Sequence, residues 1–191
     1  MKARFLVAGF LAGSLIGAAT CADAAVTVLG NGPAHTCFEY AEFGGSPDEG
    51  IADCTTAIEQ TAMPVKDLAA TYINRGILRA RAEDPHGALA DYDKGLSIDP
   101  NLGEGYVNRG ATMIVLKQYD EAIRDIDRGI ALGPNRVQIA WYDRGIAQEA
   151  QGDIRGAYED YRKAVEIQPD FTLAIQQLSR FRVVHKPADG T

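Results

Sequence analysis

The chain has 191 residues and a net charge of −7, with 46% hydrophobic and 24% charged residues. This length and composition allow one core-forming domain with a short appendage. The acidic balance excludes nucleic acid as a partner, because phosphate binding demands basic patches.

Residues 1–24 have the pattern of an export leader. Lys2 and Arg4 make a basic start, and residues 5–19 are uncharged and rich in Leu, Ala, Gly and Phe. Ala22, Asp23 and Ala24 then place small residues at both positions that a leader peptidase reads. The apolar run is short for a membrane span, which needs about 20 residues, and Gly9, Gly13 and Gly17 weaken it further. The expectation is a cleaved signal and a periplasmic or secreted product with no stable membrane insertion after cleavage. The alternative is a lipid anchor on Cys21; the preceding Ala18, Ala19 and Thr20 lack the usual Leu and end in an oversized residue. Cleavage removes Cys21 and leaves Cys37 and Cys54, an even pair that an oxidising compartment allows to bond. The mature chain keeps 17 basic and 25 acidic residues.

Residues 25–33 read as an unstructured lead-in, broken by Gly30, Asn31, Gly32 and Pro33. A short helix is expected over 34–42 and, after the turn residues Gly44, Gly45, Ser46 and Pro47, a second over 47–60 with Ser46 as its N-cap. Residues 25–64 thus form an N-terminal helical hairpin, set off by Met63, Pro64 and Val65. From there the text repeats: YINRG and ALADYDKGL, then YVNRG and AIRDIDRGI, then WYDRG and AYEDYRKAV. Gly76 and Gly110 are 34 residues apart, as are Pro100 and Pro134, while Gly110 to Gly145 is 35. Such a period, with two helices per unit, marks a stacked helical repeat whose units cannot bury their apolar faces alone. The units fall at about 69–102, 103–136 and 138–171, within a domain of 65–182. An amphipathic cap over 172–182 closes the stack, and 183–191 is a loose tail.

Gly76, Gly110 and Gly145 sit inside helices at a cost of up to about 1 kcal/mol each, and Ala88, Ala122 and Ala157 follow them by 12 residues. Small residues on both helices let the hairpin close tightly. Gly95 and Gly129, with Ala164 in the third unit, suggest a second close contact, toward the next hairpin. Arg75 and Asp91, Arg109 and Asp125, and Arg144 and Asp160 are each 16 apart, which suggests one ion pair between the helices of every hairpin. The doublets Asp91/Asp93 and Asp125/Asp127, with Lys94, Arg124 and Arg128 nearby, read as a solvated face rather than as catalytic carboxylates. His35, His86 and His185 fall in loop, turn and tail, and His35 with Cys37 has no matching second pair for a metal. No phosphate loop, nucleophile elbow or HExxH motif is present. The expectation is no enzyme, no catalytic residues, no metal and no cofactor.

At these residues the chain resembles the tetratricopeptide repeat family: a large residue at position 4 (Tyr72, Tyr106, Trp141), small ones at 8 and 20, and Pro at 32 (Pro100, Pro134, Pro169). Position 24 is aromatic in Tyr92 and Tyr161 but Ile126 in the second unit, and position 7, usually Leu, is Arg throughout. The resemblance implies an all-α, right-handed superhelical solenoid of helix-turn-helix repeats with a C-terminal capping helix. In this register Cys37 and Cys54 take positions 7 and 24 of a divergent first unit, which implies a disulfide inside that hairpin. The family lines its concave groove with the first helices. Carried over, the groove is Ile73, Asn74, Ile77 and Arg81; Glu104, Val107, Asn108, Ala111 and Ile114; and Ile139, Tyr142, Asp143, Ile146 and Glu149. Asn74 and Asn108 share position 6, where an amide can pair with any extended backbone. The Lys and Arg with which some members grip a C-terminal carboxylate are replaced in the third unit by Ile139 and Asp143. The resemblance therefore implies a protein or peptide partner: an internal or basic-flanked apolar segment bound by an adaptor of the cell envelope. The alternatives are a structural subunit of an envelope complex and, less favoured, a small hydrolase.

Overall fold

The computed structural model of this chain describes residues 4–7, 24–28 and 30–184. Nine helices follow one another in these residues: α1 (Pro33–Phe43), α2 (Pro47–Gln60), α3 (Val65–Arg81), α4 (Pro85–Ile98), α5 (Gly103–Val115), α6 (Tyr119–Leu132), α7 (Val137–Ala150), α8 (Ile154–Ile167) and α9 (Thr172–Leu178). They pair as the hairpins α1–α2, α3–α4, α5–α6 and α7–α8, each packed on the next, with α9 against α8. The result is an all-α solenoid. Local chemistry sets the helix starts. Ser46, Asp84 and Asp153 accept hydrogen bonds from the backbone of Glu49, Gly87 and Gly156, and Pro47 and Pro85 occupy the first turn. Each of the three regular hairpins turns through one residue of positive φ: Glu83 (59°), Lys117 (61°) and Gly152 (85°).

The hairpins close where the small residues lie. A Cβ on Gly76 would stand 2.5 Å from the Tyr92 ring, one on Gly110 2.7 Å from Ile126, and one on Gly145 2.7 Å from the Tyr161 ring. Gly95 and Gly129 do not face the next hairpin as expected. They meet Ile73 and Ala69 of α3, and Val107 and Gly103 of α5, so both tighten their own hairpin.

The recurring Arg does more than pair with its own hairpin. Arg109 donates to Asp125 through Nε (2.6 Å) and Nη2 (2.9 Å), while its Nη1 reaches back to Asp93 of the preceding repeat (2.6 Å). Arg144 grips Asp160 at 2.8 Å through both Nε and Nη2 and also reaches Asp127. Arg75 grips Asp91 and, in place of an acid, Thr55 of α2 at 3.0 Å. The Asp doublets are therefore only half a solvated face: the first acid of each is drawn in and closes a hairpin, while the second stays exposed and joins two repeats. Each guanidinium also lies over the large residue three positions earlier, at 5.5 Å from the Tyr72 ring centre, 5.4 Å from Tyr106 and 4.5 Å from Trp141.

The ends differ from the expected boundaries. The capping helix stops at Leu178, and Phe181–Val184 forms a strand, β2, antiparallel to β1 (Arg4–Val7). Arg4 lies opposite Val184 and Val7 opposite Phe181. Two residues assigned to the loose tail and four assigned to the leader are thus paired, because an extended backbone left with open N–H and C=O groups finds a second edge. Residues 185–191 and Cys21 lie outside the described residues. At the other end, Cys37 and Cys54 are bonded, their Cα atoms 4.8 Å apart, and tie α1 to α2.

Two predictions follow from this packing. Arg109→Leu should cost about 2–4 kcal/mol in urea unfolding, because Asp125 is left partly buried without its cation. Adding Asp125→Leu should recover part of that loss; additive losses in the double variant would contradict the pairing. Cys37→Ser with Cys54→Ser should cost roughly 3 kcal/mol under non-reducing conditions, the chain-entropy value for a loop of this length, and reductant should bring the wild type down by a similar amount.

Candidate binding groove

The face expected to bind a partner is already occupied. Residues 24–28 run extended across the first helices of the repeats, and Ala24, Ala25 and Val28 are buried. Asn74 of α3 holds Val26 at both backbone atoms: Oδ1 accepts from the Val26 N–H and Nδ2 donates to the Val26 C=O, each at 2.8 Å. One repeat along, Asn108 of α5 donates through Nδ2 to the Ala24 carbonyl at 3.1 Å and to the Glu104 carbonyl at 2.9 Å. The carbonyl of Val28 accepts from His35 Nδ1 at 3.2 Å. The two asparagines thus read residues two apart, the period of an extended strand, and the segment runs antiparallel to the order of the repeats. Position 6 is expected to pair with a partner's backbone; here the amides bond the chain's own.

The segment expected to be an unstructured lead-in is therefore a packed part of the molecule. Ala25 joins a core with Cys37, Ala41, Ile73 and Ile77, with Val26 and Phe38 beside it. α1 lies over the same face. Arg81, expected as a groove residue, instead donates to the carbonyls of Tyr40 (2.9 Å) and Ala41 (2.6 Å) and anchors the end of α1. Across the groove, Arg136 of the α6–α7 loop pairs with Glu42 of α1. Ala24, Ala25, Thr27, Phe38, Glu42, Asn135 and Arg136 enclose a cavity of about 110 Å³ beside the segment. Sequence reasoning missed Glu42 and Arg136, since nothing in a charge pair 94 residues apart marks it. The alternation Val26, Thr27, Val28 was the one available sign of a strand-like segment.

The other groove residues are brought together but do not form a bare strip. Ile73 and Ile77 are fully buried under Ala25 and α1. Val107, Ala111, Ile114, Tyr142 and Ile146 share a second core, with Ile139 partly buried against it. Tyr142 meets Phe171 edge-on, ring centres 5.5 Å apart, next to the capping helix. Asp143 is buried at the place that Asn74 and Asn108 hold in the earlier repeats. Glu149, expected to favour a basic ligand, is engaged within the chain: it accepts from the Tyr161 hydroxyl (2.9 Å) and from Arg180 (2.6 Å). Burial, and then the charge of Glu149, push the Tyr161 phenol well above its ordinary value, so it stays a donor. Glu104 accepts from the Asn135 N–H at 3.0 Å. Among the described residues no group of three His, Cys, Asp or Glu side chains could hold a metal ion, and no helix is long and apolar enough to cross a membrane.

Residues 139–171 match the family model described as the tetratricopeptide repeat. A comparison with curated proteins finds no match. Among solved structures, the crystal structure of MamA is similar over 78% of this chain and 82% of its own, at 21% identity and a TM-score of 0.63. The first such repeat domain of human RPAP3 covers 60% of this chain and 90% of its own, at 24% identity and a TM-score of 0.57. The first repeat domain of Spaghetti (RPAP3), bound to the HSP90 peptide SRMEEVD, covers 59% and 90% at 25% identity and a TM-score of 0.56.

Asn74→Ala should remove both bonds to Val26 and lower stability by roughly 1–3 kcal/mol, with helicity by circular dichroism unchanged. A variant as stable as wild type would mean that the segment is not held by this amide.

Proposed function

We propose that this repeat solenoid, which matches the tetratricopeptide repeat model over residues 139–171, is a non-catalytic scaffold of the cell envelope that binds an extended segment of a protein partner along its concave face. The observation that carries this reading is the two-bond grip of Asn74 on Val26. It supports the reading because the same amide pairing, made here to the chain's own backbone, would satisfy the N–H and C=O of any extended peptide without consulting a side chain. The peptide-bound Spaghetti domain supports the same class of ligand.

The resident segment takes up the first repeat, so the partner is read by the second and third. Its carbonyl takes the place of the Ala24 carbonyl on Asn108. With Ile139 and Asp143 where a carboxylate clamp would need cations, the partner presents an internal apolar segment, flanked by basic residues, rather than a chain end. The leader pattern of residues 1–24 supports a site of action outside the cytoplasm, in the periplasm or the medium.

The test uses the exported protein as bait in an envelope extract, followed by affinity measurement with the partner recovered. Asn108→Ala should weaken that affinity by roughly 1–3 kcal/mol, the cost of an unpaired buried group, and leave the fold intact. Equal affinity would move the binding surface to the convex face, and turnover of a small substrate without any partner would replace the scaffold with an enzyme.

A further inference from the structure

The second asparagine is only half used. Asn74 spends both ends of its amide on Val26, whereas Asn108 spends only Nδ2, on the carbonyls of Ala24 and Glu104. Asn108 is 2% exposed, and its Oδ1 has no hydrogen-bond partner among the described residues. A buried acceptor left without a donor is costly, so this position is built for a donor that the described residues of the uncut chain do not supply. The backbone nitrogen of Ala25 is one bond beyond the carbonyl that Asn108 already holds.

We infer that Asn108 is the receptor for the α-ammonium group of Ala25, formed when the leader is hydrolysed off after Ala24. This rests on the export reading of residues 1–24 and concerns the same groove as the scaffold function. In the hydrolysis, carried out by a leader peptidase, water adds across the Ala24–Ala25 amide and the C–N bond breaks. The acyl carbon departs with the leader as a carboxylate, and the nitrogen keeps its electron pair and is protonated to the ammonium. The Ala24 carbonyl thereby leaves Asn108, and a small rotation of the amide sets Oδ1 against the new cation. The cation cannot swing away. The Ala25 side chain is packed with Cys37, Ala41 and Ile73, and the next residue is pinned at both backbone atoms by Asn74. The hydrogen of Nδ2 freed from Ala24 is then open to a partner's carbonyl. The processed N-terminus becomes a fixed filler of the first repeat and marks where the ligand section begins.

The experiment takes the exported protein, determines its first residue by intact mass, and measures acylation of the α-amine by a succinimidyl ester at neutral pH. The control is the free peptide of residues 25–32. The expected result is a chain beginning at Ala25 whose amine reacts at least about tenfold more slowly than the peptide's, as one unit of raised pKa alone would give. Asn108→Asp should keep it slow, and Asn108→Leu should move it toward the peptide's rate. If the Leu variant does not fold, the wild type and Asn108→Asp decide the matter. A chain that begins elsewhere, or a wild-type amine that reacts at the peptide's rate, would overturn the inference. Partner affinity is measured separately, so a protected amine without a partner would sink the scaffold reading and leave this one standing.

Discussion

In each of the three regular repeats a guanidinium joins three helices. Arg109 clasps Asp125 across its own hairpin with two parallel bonds and reaches Asp93 on the hairpin before it. Arg144 repeats the arrangement with Asp160 and Asp127. Burial works against the Arg109 charge, but the bonds to Asp125 and then Asp93 outweigh it and hold the guanidinium above its ordinary value. Only a rigid planar fork can serve two carboxylates in different directions while stacking on an aromatic ring, so Lys would not replace it. The family's usual Leu at this position would pack a hairpin but would not lock its angle to the next one.

That angle controls the concave face. The glycines opposite Tyr92, Ile126 and Tyr161 draw the helices of each hairpin together, and the Arg–Asp contacts hold successive hairpins at a regular step. Position 6 of consecutive first helices is thereby presented as a row. On this row Asn74 and Asn108 engage residues 26 and 24, so the solenoid advances one repeat for every two residues of extended chain. That match, rather than any pocket, holds the chain's own extended segment. The disulfide and the anchoring of α1 by Arg81 matter for the same reason, since they hold the roof under which the segment lies.

The repeat architecture was legible because it is written three times. A period of 34 residues, the small residues at fixed offsets and the Arg–Asp spacing of 16 each carry their own confirmation in the next unit. The pairing of the two cysteines was open to the same kind of counting. The reach of each Arg to the preceding repeat was not, because Asp93 and Asp127 look like ordinary surface acids until the hairpins are stacked. The resident segment was least legible. Five residues have no helical period, and their partners lie 48 and 84 positions away. Gly30, Asn31, Gly32 and Pro33 mark a flexible link, but breakers of this kind do not reveal whether the residues before them pack. Arg81 and Glu149 were placed on the right helices, yet their charges are used inside the chain, on carbonyls of α1 and on Arg180.

The most direct measurement is amide hydrogen exchange at Val26, followed by NMR in the exported protein and in Asn74→Ala. The account predicts that the Val26 amide exchanges at least about a hundredfold more slowly than in an unstructured peptide, and that the protection is lost in the variant while the helices keep theirs. Exchange at the free-peptide rate in the wild type would mean that the concave face does not hold an extended backbone, and the central claim would fail.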